Sequence, residues 1–146
     1  LGGEEPAVEQ LVAQTGFPNM KVLQFGFTGD LQNRFYPKNY GTNCVCYTGT
    51  HDNETALGWY ENAPLREQVF FSKTAPAEGE NPALRMIALA MRSKAELVIV
   101  PMQDWLCLSN SARMNTPGTV GGNWEWQMSE NTEYETLKKN MLRFGR

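Results

Sequence analysis

In Glu96-Leu97-Val98-Ile99-Val100-Pro101, the residues after Glu96 form an unbroken apolar run, mostly β-branched, closed by a proline. It has no polar alternation and is too short for a helix. A run of this kind reads as a strand of a parallel sheet, covered on both faces. Immediately upstream, Asn81-Pro82 reads as an N-cap followed by proline at the first helical position. Leu84, Ile87, Ala88 and Met91 then fall on one helical face, and that helix is expected to end near Ser93. Pro64 suits the first turn of another helix running to about Lys73. The strand at 96–101 is therefore preceded by helix, as in a βα unit.

The same pattern continues outward. Cys44-Val-Cys-Tyr47-Thr48 is β-prone, too short for a helix, and closed by Gly49. Met20–Phe27 is short, apolar and aromatic, bounded by Pro18 and Gly29, and predicts a buried strand. Between them lies a polar loop with Asn33, Pro37, Asn39 and Gly41. Before them, Val8, Leu11 and Val12 recur at helical spacing, so a helix is expected over about 5–15, with Glu4-Glu5 in its acidic first turn and Gly16 as a left-handed C-cap. On the downstream side, Asp104 is expected to cap a short helix. Residues 110–127 are small, polar and tryptophan-rich, without period, and read as a long loop. Thr132-x-x-Glu135 is a capping-box signature ahead of Tyr134, Leu137, Met141 and Leu142, which predict an amphipathic C-terminal helix. The fold class is α/β, and no internal repeat suggests a solenoid.

Composition limits the function classes. The 146 residues, 41% hydrophobic, suffice for one core and not two. Thirteen basic residues against 16 acidic ones, without like-charged blocks, argue against nucleic acid and against an anionic membrane surface. No apolar run approaches the ~20 residues of a spanning helix, and no secretory signal is visible, so the expected location is cytoplasmic. Cys44 and Cys46 point to one strand face and, with Cys107, read as free thiols in a reducing compartment. With His51 as the single histidine, no zinc site is expected. The chain opens on Leu1 with no preceding turn or cap, which reads as part of something longer.

In an α/β barrel the site lies at the carboxyl ends of the strands. Two polar loops follow strands here. One carries Thr50, His51, Asp52, Asn53 and Glu54; the other carries Gln103, Asp104, Arg113, Asn115 and Thr116. Carboxylate and imidazole groups suit vicinal sugar hydroxyls, and Trp59, Trp124 and Trp126 could offer faces to a pyranose. Each feature also has a plain structural reading. His51-Asp52 could be a local turn network, the tryptophans could pack the core, and Gly118, Gly121 and Gly122 could mark turns as readily as a mobile lid.

Four stretches are more specific: Gly16-Phe-Pro-Asn-Met-Lys-Val-Leu-Gln-Phe25, Tyr47-Thr-Gly-Thr-His-Asp-Asn-Glu-Thr55, Pro101-Met-Gln-Asp104, and Ala112-Arg-Met-Asn-Thr-Pro-Gly-Thr119 with Gly122-Asn-Trp124. In this order they resemble glycoside hydrolase family 77, the 4-α-glucanotransferases or amylomaltases. The likeness runs from Leu1 almost to Arg146. It implies that 1–146 is a C-terminal segment of a (β/α)8 TIM-barrel catalytic domain, about the last three strands and their helices. It also implies an enzyme that moves α-1,4-glucan segments between maltooligosaccharides by a retaining double displacement, with no cofactor. By motif match Asp52 is the catalytic aspartate that binds the distorted donor sugar, beside the substrate-binding residues His51, Asn53 and Trp59. Asn115, Thr116 and Gly118 belong to a loop that closes over the glucan.

The resemblance places the nucleophilic aspartate and the acid/base glutamate upstream, the glutamate just before a Leu-Gly pair that matches Leu1-Gly2. The remainder of the parent barrel is then the chain's polypeptide partner, and 1–146 alone is expected to be inactive. Glu54 stands where the family commonly has aspartate, and Lys38 where it usually has histidine. Three other readings remain: a non-catalytic glucan-binding piece, an α-amylase-type hydrolase, whose seventh strand also ends in His-Asp, and an interaction module of an unrelated barrel. The 113–119 motif speaks against the hydrolase.

Overall fold

The computed structural model describes residues 6–75 and 81–144, so Leu1-Gly2 and Glu4-Glu5 lie outside the described residues. Helix α1 (Pro6–Thr15) leads into strand β1 (Asn19–Val22), and a long loop leads to β2 (Cys44–Tyr47). Three helices follow, α2 (Ala56–Asn62), α3 (Leu65–Thr74) and α4 (Pro82–Arg92). Strand β3 (Leu97–Ile99), the single turn α5 (Met102–Trp105) and helix α6 (Tyr134–Phe144) complete the order. The strands form a parallel sheet in the order β1-β2-β3. This is the βα alternation expected from the apolar runs.

Register divides the sheet into two faces. Met20, Val45 and Leu97 form one row, and Val22, Tyr47 and Ile99 the next; Lys21, Cys46 and Val98 alternate with them. The Cys44, Cys46 and Val98 face packs on α2, α3 and α4 in a core with Leu23, Phe27, Trp59, Phe71 and Met86. The opposite face is open over much of its extent, with Met20, Leu97 and Ile99 45, 52 and 40% exposed, while Val22 at its edge is buried. The expectation that 96–101 is covered on both faces is thus corrected, because helices cover only one side of this three-stranded sheet.

Helix α4 is the hinge between two apolar clusters. Asn81 caps it, accepting from the Ala83 N–H at 2.8 Å. Ala83, Met86 and Ala90 face the sheet core. Ile87 and Ala88, with half-buried Leu84 and Met91, pack instead with Trp105, Leu137 and Phe144 from α5 and α6. Leu142, expected on the apolar face of α6, is 75% exposed.

Four further expectations change. The run Met20–Phe27 leaves the sheet at Val22 and turns as a 3-10 helix over Leu23–Gly26. Gly26 there backs onto the Phe35 carbonyl, only 2.3 Å from where a Cβ would sit, which no side chain could share. Helix α2 lies in a stretch that the sequence reading left unassigned. It is capped by Thr55, whose hydroxyl accepts from Gly58 N–H, and Pro64 ends it by holding Ala63 extended. Pro64 is itself the N-cap of α3 and not part of its first turn. The capping box does not form: the Thr132 hydroxyl donates to the Ser129 carbonyl at 2.6 Å. The first bond of α6 runs from Leu137 N–H to the Glu133 carbonyl.

Candidate active site

At the carboxyl end of β2 the chain makes a tight excursion, residues 49–55, before entering α2. Asn53 shapes it. Its Oδ1 accepts from the Thr50 N–H at 2.9 Å and the Thr50 hydroxyl at 2.7 Å, while Asn53 N–H donates to the Thr50 carbonyl. This turn pushes His51 and Asp52 outward, where both side chains are about half exposed. His51 Nε2 stands 3.3 Å from Asp52 Oδ1.

The loop after β3 clasps this excursion. Asn115 Nδ2 donates to Asp52 Oδ1 at 2.7 Å, and Asn115 N–H donates to the His51 carbonyl at 3.1 Å. Arg113 spans the two loops, with NH2 on the Asp52 carbonyl at 2.7 Å and Nε on the Asn115 carbonyl at 2.9 Å. Trp124 lies against His51, ring centroids 5.0 Å apart and tilted by 39°. Its backbone N–H donates to the Met114 carbonyl at 2.7 Å, and its φ is +63°, a left-handed conformation strained for a residue with a bulky side chain. Both contacts from Asn115 and His51 fall on Asp52 Oδ1, and among the described residues no donor engages Oδ2.

Beyond Asn115, Asn123 Oδ1 accepts from Thr116 N–H, and Thr119 donates to the Thr116 carbonyl through both N–H and hydroxyl. Gly118, with φ +79°, stands at the tip of this exposed loop with open space around it. Thr116 and Gly118 are therefore on the clasping loop but outside the direct contacts to Asp52. Trp59 is not brought to the cluster at all. It is 8% exposed, between Phe27 at 5.2 Å and Phe71 at 5.6 Å, because α2 turns that face to the sheet.

A cavity of about 220 Å³ opens beside the cluster, lined by Thr50, His51, Asn53, Glu54, Gln103, Asp104, Arg113, Met114 and Trp124 among others. A second, of about 430 Å³, runs from the open sheet face at Met20, Tyr47 and Ile99 up to His51 and Asp52. The exposed apolar face and the polar rim are thus one continuous surface.

Asp104 departs from its expected role. It lies inside α5 instead of capping it, is 1% exposed, and accepts from Ala56 N–H at 2.7 Å and from the Thr48 hydroxyl at 2.5 Å. Burial pushes its carboxyl above the ordinary carboxylate range, against the pull of those two bonds. Asn110, which the sequence reading passed over, donates to Glu54 Oε1 at 2.7 Å and accepts from Thr55 N–H at 3.2 Å. Nothing in the local sequence marks such partners, which come together over separations of 48 to 56 residues.

Chemically the rim offers a carboxylate, an imidazole, an amide and an exposed indole, with His51 common to both cavities. Such groups are of the kind that can pair with vicinal hydroxyls and pack on an apolar ring face. The sequence profile described as 4-alpha-glucanotransferase matches residues 1–133. The 4-alpha-glucanotransferase of Thermus thermophilus is 43% identical over 136 residues, 88% of this chain and 27% of that protein. That of Clostridium butyricum is 42% identical over 137 residues, 91% of this chain and 28% of that protein. The structure of amylomaltase from Streptococcus agalactiae in complex with acarbose superposes with a TM-score of 0.88 at 34% identity, covering all of this chain and 31% of that one. The chain spans about a quarter of the length of the curated relatives it matches.

Proposed function

The chain belongs to the 4-alpha-glucanotransferase family, and from that premise we propose that it forms the carboxyl-terminal part of a (β/α)8 barrel transferring α-1,4-glucan segments between maltooligosaccharides. The observation that carries the site is the Asn115 to Asp52 bond at 2.7 Å, which joins the rims of two successive βα units at a carboxylate. The barrel reading is supported by the parallel sheet and its open apolar face, where Met20, Leu97 and Ile99 would become interior. About half of each side chain is already covered, so burying the rest is worth roughly 0.7–1.5 kcal/mol apiece, and the upstream strands are its natural partner. The free thiols Cys44, Cys46 and Cys107 suit a reducing compartment such as the cytoplasm.

In a retaining reaction the anomeric carbon acquires oxocarbenium character twice, and a carboxylate that holds ring hydroxyls more tightly at that moment lowers both barriers. Asp52 takes this part. Asn115 holds its Oδ1, with His51 Nε2 3.3 Å from the same oxygen, and Oδ2 is the oxygen offered to the donor sugar. Trp124 offers a face to an adjoining glucose unit, and the loop carrying Thr116 and Gly118 folds over the glucan to keep water from the glycosyl-enzyme intermediate. The nucleophilic aspartate and the acid/base glutamate come from the rest of the barrel, so residues 1–146 alone perform no transfer.

The test is a chimera in which this chain replaces the matching segment of the Thermus thermophilus relative. It should convert maltotriose to glucose and longer maltooligosaccharides, and residues 1–146 alone should not. Release of glucose and maltose without longer products would favour the hydrolase reading instead.

A further inference from the structure

The segment 49–55 that carries His51 and Asp52 is held at both ends by one side chain from the next βα unit. Asp104 Oδ2 accepts from the hydroxyl of Thr48, the last residue before the excursion, at 2.5 Å. Asp104 Oδ1 accepts from the N–H of Ala56, the first residue after it, at 2.7 Å. All three residues are buried, with Thr48 and Ala56 at 0% and Asp104 at 1% exposure. Two carboxamides secure the same segment nearer its tip: Asn110 holds Thr55 N–H and Glu54, and Gln24 Nε2 donates to the Glu54 carbonyl at 2.8 Å.

We infer that Asp104 is a positioning residue for the glucan site, a buried carboxylate that closes the base of the 49–55 excursion and so fixes where the Asp52 carboxylate stands. The inference rests on the reading of Asp52 given above. A buried carboxylate is costly to keep, and α2 already has its own cap in Thr55. A helix needing only a start would not call for Asp104. What Asp104 adds is a fixed distance between the two ends of the excursion, with its partner loop arising from the same βα unit that supplies Arg113 and Asn115. Both halves of the site are thereby referenced to one buried group.

Transition-state binding is sensitive to this placement, since a shift of about 1 Å at a site can cost ~10²-fold in rate. The experiment uses the chimera described above. Its own transfer activity tests the family reading, and the variants, compared with it, test this inference. Asp104→Ala should lower kcat for maltotriose about 10²-fold with KM changed less than about threefold. Asp104→Asn, which can still accept from Ala56 and donate to Thr48, should recover to within about tenfold.

The decisive comparison is made in an Asp52→Asn background. There Asp104→Ala should cost at least about tenfold less than in the parent, because the group it positions is already disabled. An equal loss in both backgrounds, or a kcat within about threefold of the parent, would overturn the inference. Should Asp104→Ala not fold, Thr48→Val is read in the same way. Failure of both to fold would place Asp104 in the fold alone and overturn it equally.

Discussion

Asn115 Nδ2 donates to Asp52 Oδ1 at 2.7 Å across 63 residues of sequence, with His51 Nε2 at 3.3 Å from the same oxygen. One carboxylate oxygen is thus held by the protein, while the other has no donor among the described residues. Removing the amide in Asn115→Ala should lower kcat about tenfold, ~1.4 kcal/mol of transition-state stabilisation, the lower end for a bond to a charged group that is half exposed. Steady-state kinetics of the chimera on maltotriose check this. An unchanged kcat would show that Asp52 does not depend on the clasp.

Trp124 combines an exposed ring with a φ of +63°. Trp124→Ala and Trp124→Gly should both raise KM for maltooligosaccharides several-fold, since either removes a stacking face worth about 0.5–1.5 kcal/mol. Their stabilities should differ. The glycine variant should be more stable than the alanine variant by about 1 kcal/mol, because glycine adopts the left-handed conformation without strain. Thermal unfolding of the two variants side by side measures the difference.

Gly58 in α2 faces Asn110, whose Oδ1 would lie 2.1 Å from an added Cβ. Helix propensity alone favours Gly58→Ala by about 0.8–1 kcal/mol. The methyl group must, however, displace Asn110 from Glu54 and Thr55 N–H, so the substitution should destabilise by about 1–3 kcal/mol. Adding Asn110→Ala should recover part of this loss. Chemical denaturation of the single and double variants tests it.

Burial raises the carboxyl of Asp104 above its unfolded range. Between the unfolded pKa, about 3.9, and the higher folded one, the folded state binds the proton more fully than the unfolded state. Stability from this group is therefore greatest below the unfolded value and falls as pH rises through the folded value. Asp104→Asn removes that dependence, so its Tm relative to the parent should increase as pH is raised from about 4 toward 7. A relative Tm that decreases over this range would contradict the assignment.

What could be read from sequence divides along physical lines. The βα order, the caps at Gly16 and Asn81 and the buried thiols at Cys44 and Cys46 follow from local periodicity and turn chemistry, and all appear in the structure. Loop 49–55 announced itself through its dense polar residues after a strand. Helix α2 was missed because Gly58 and Asn62 weaken its pattern, and its start depends on tertiary bonds to Asp104 and Asn110. Trp59 and Trp124 are the same residue type near the same rim. Only packing separates the core ring at 8% exposure from the site ring at 62%. The open face of β3 could not be read locally either, since an apolar β-branched run does not say how many layers cover it.

The central claim is that Asp52 acts on the transition state of glucan transfer. Its most direct test is the kcat and KM of the Asp52→Asn chimera on maltotriose. A fall in kcat of about 10²–10³-fold with KM within about threefold is predicted. A kcat within about threefold of the parent chimera would contradict the account.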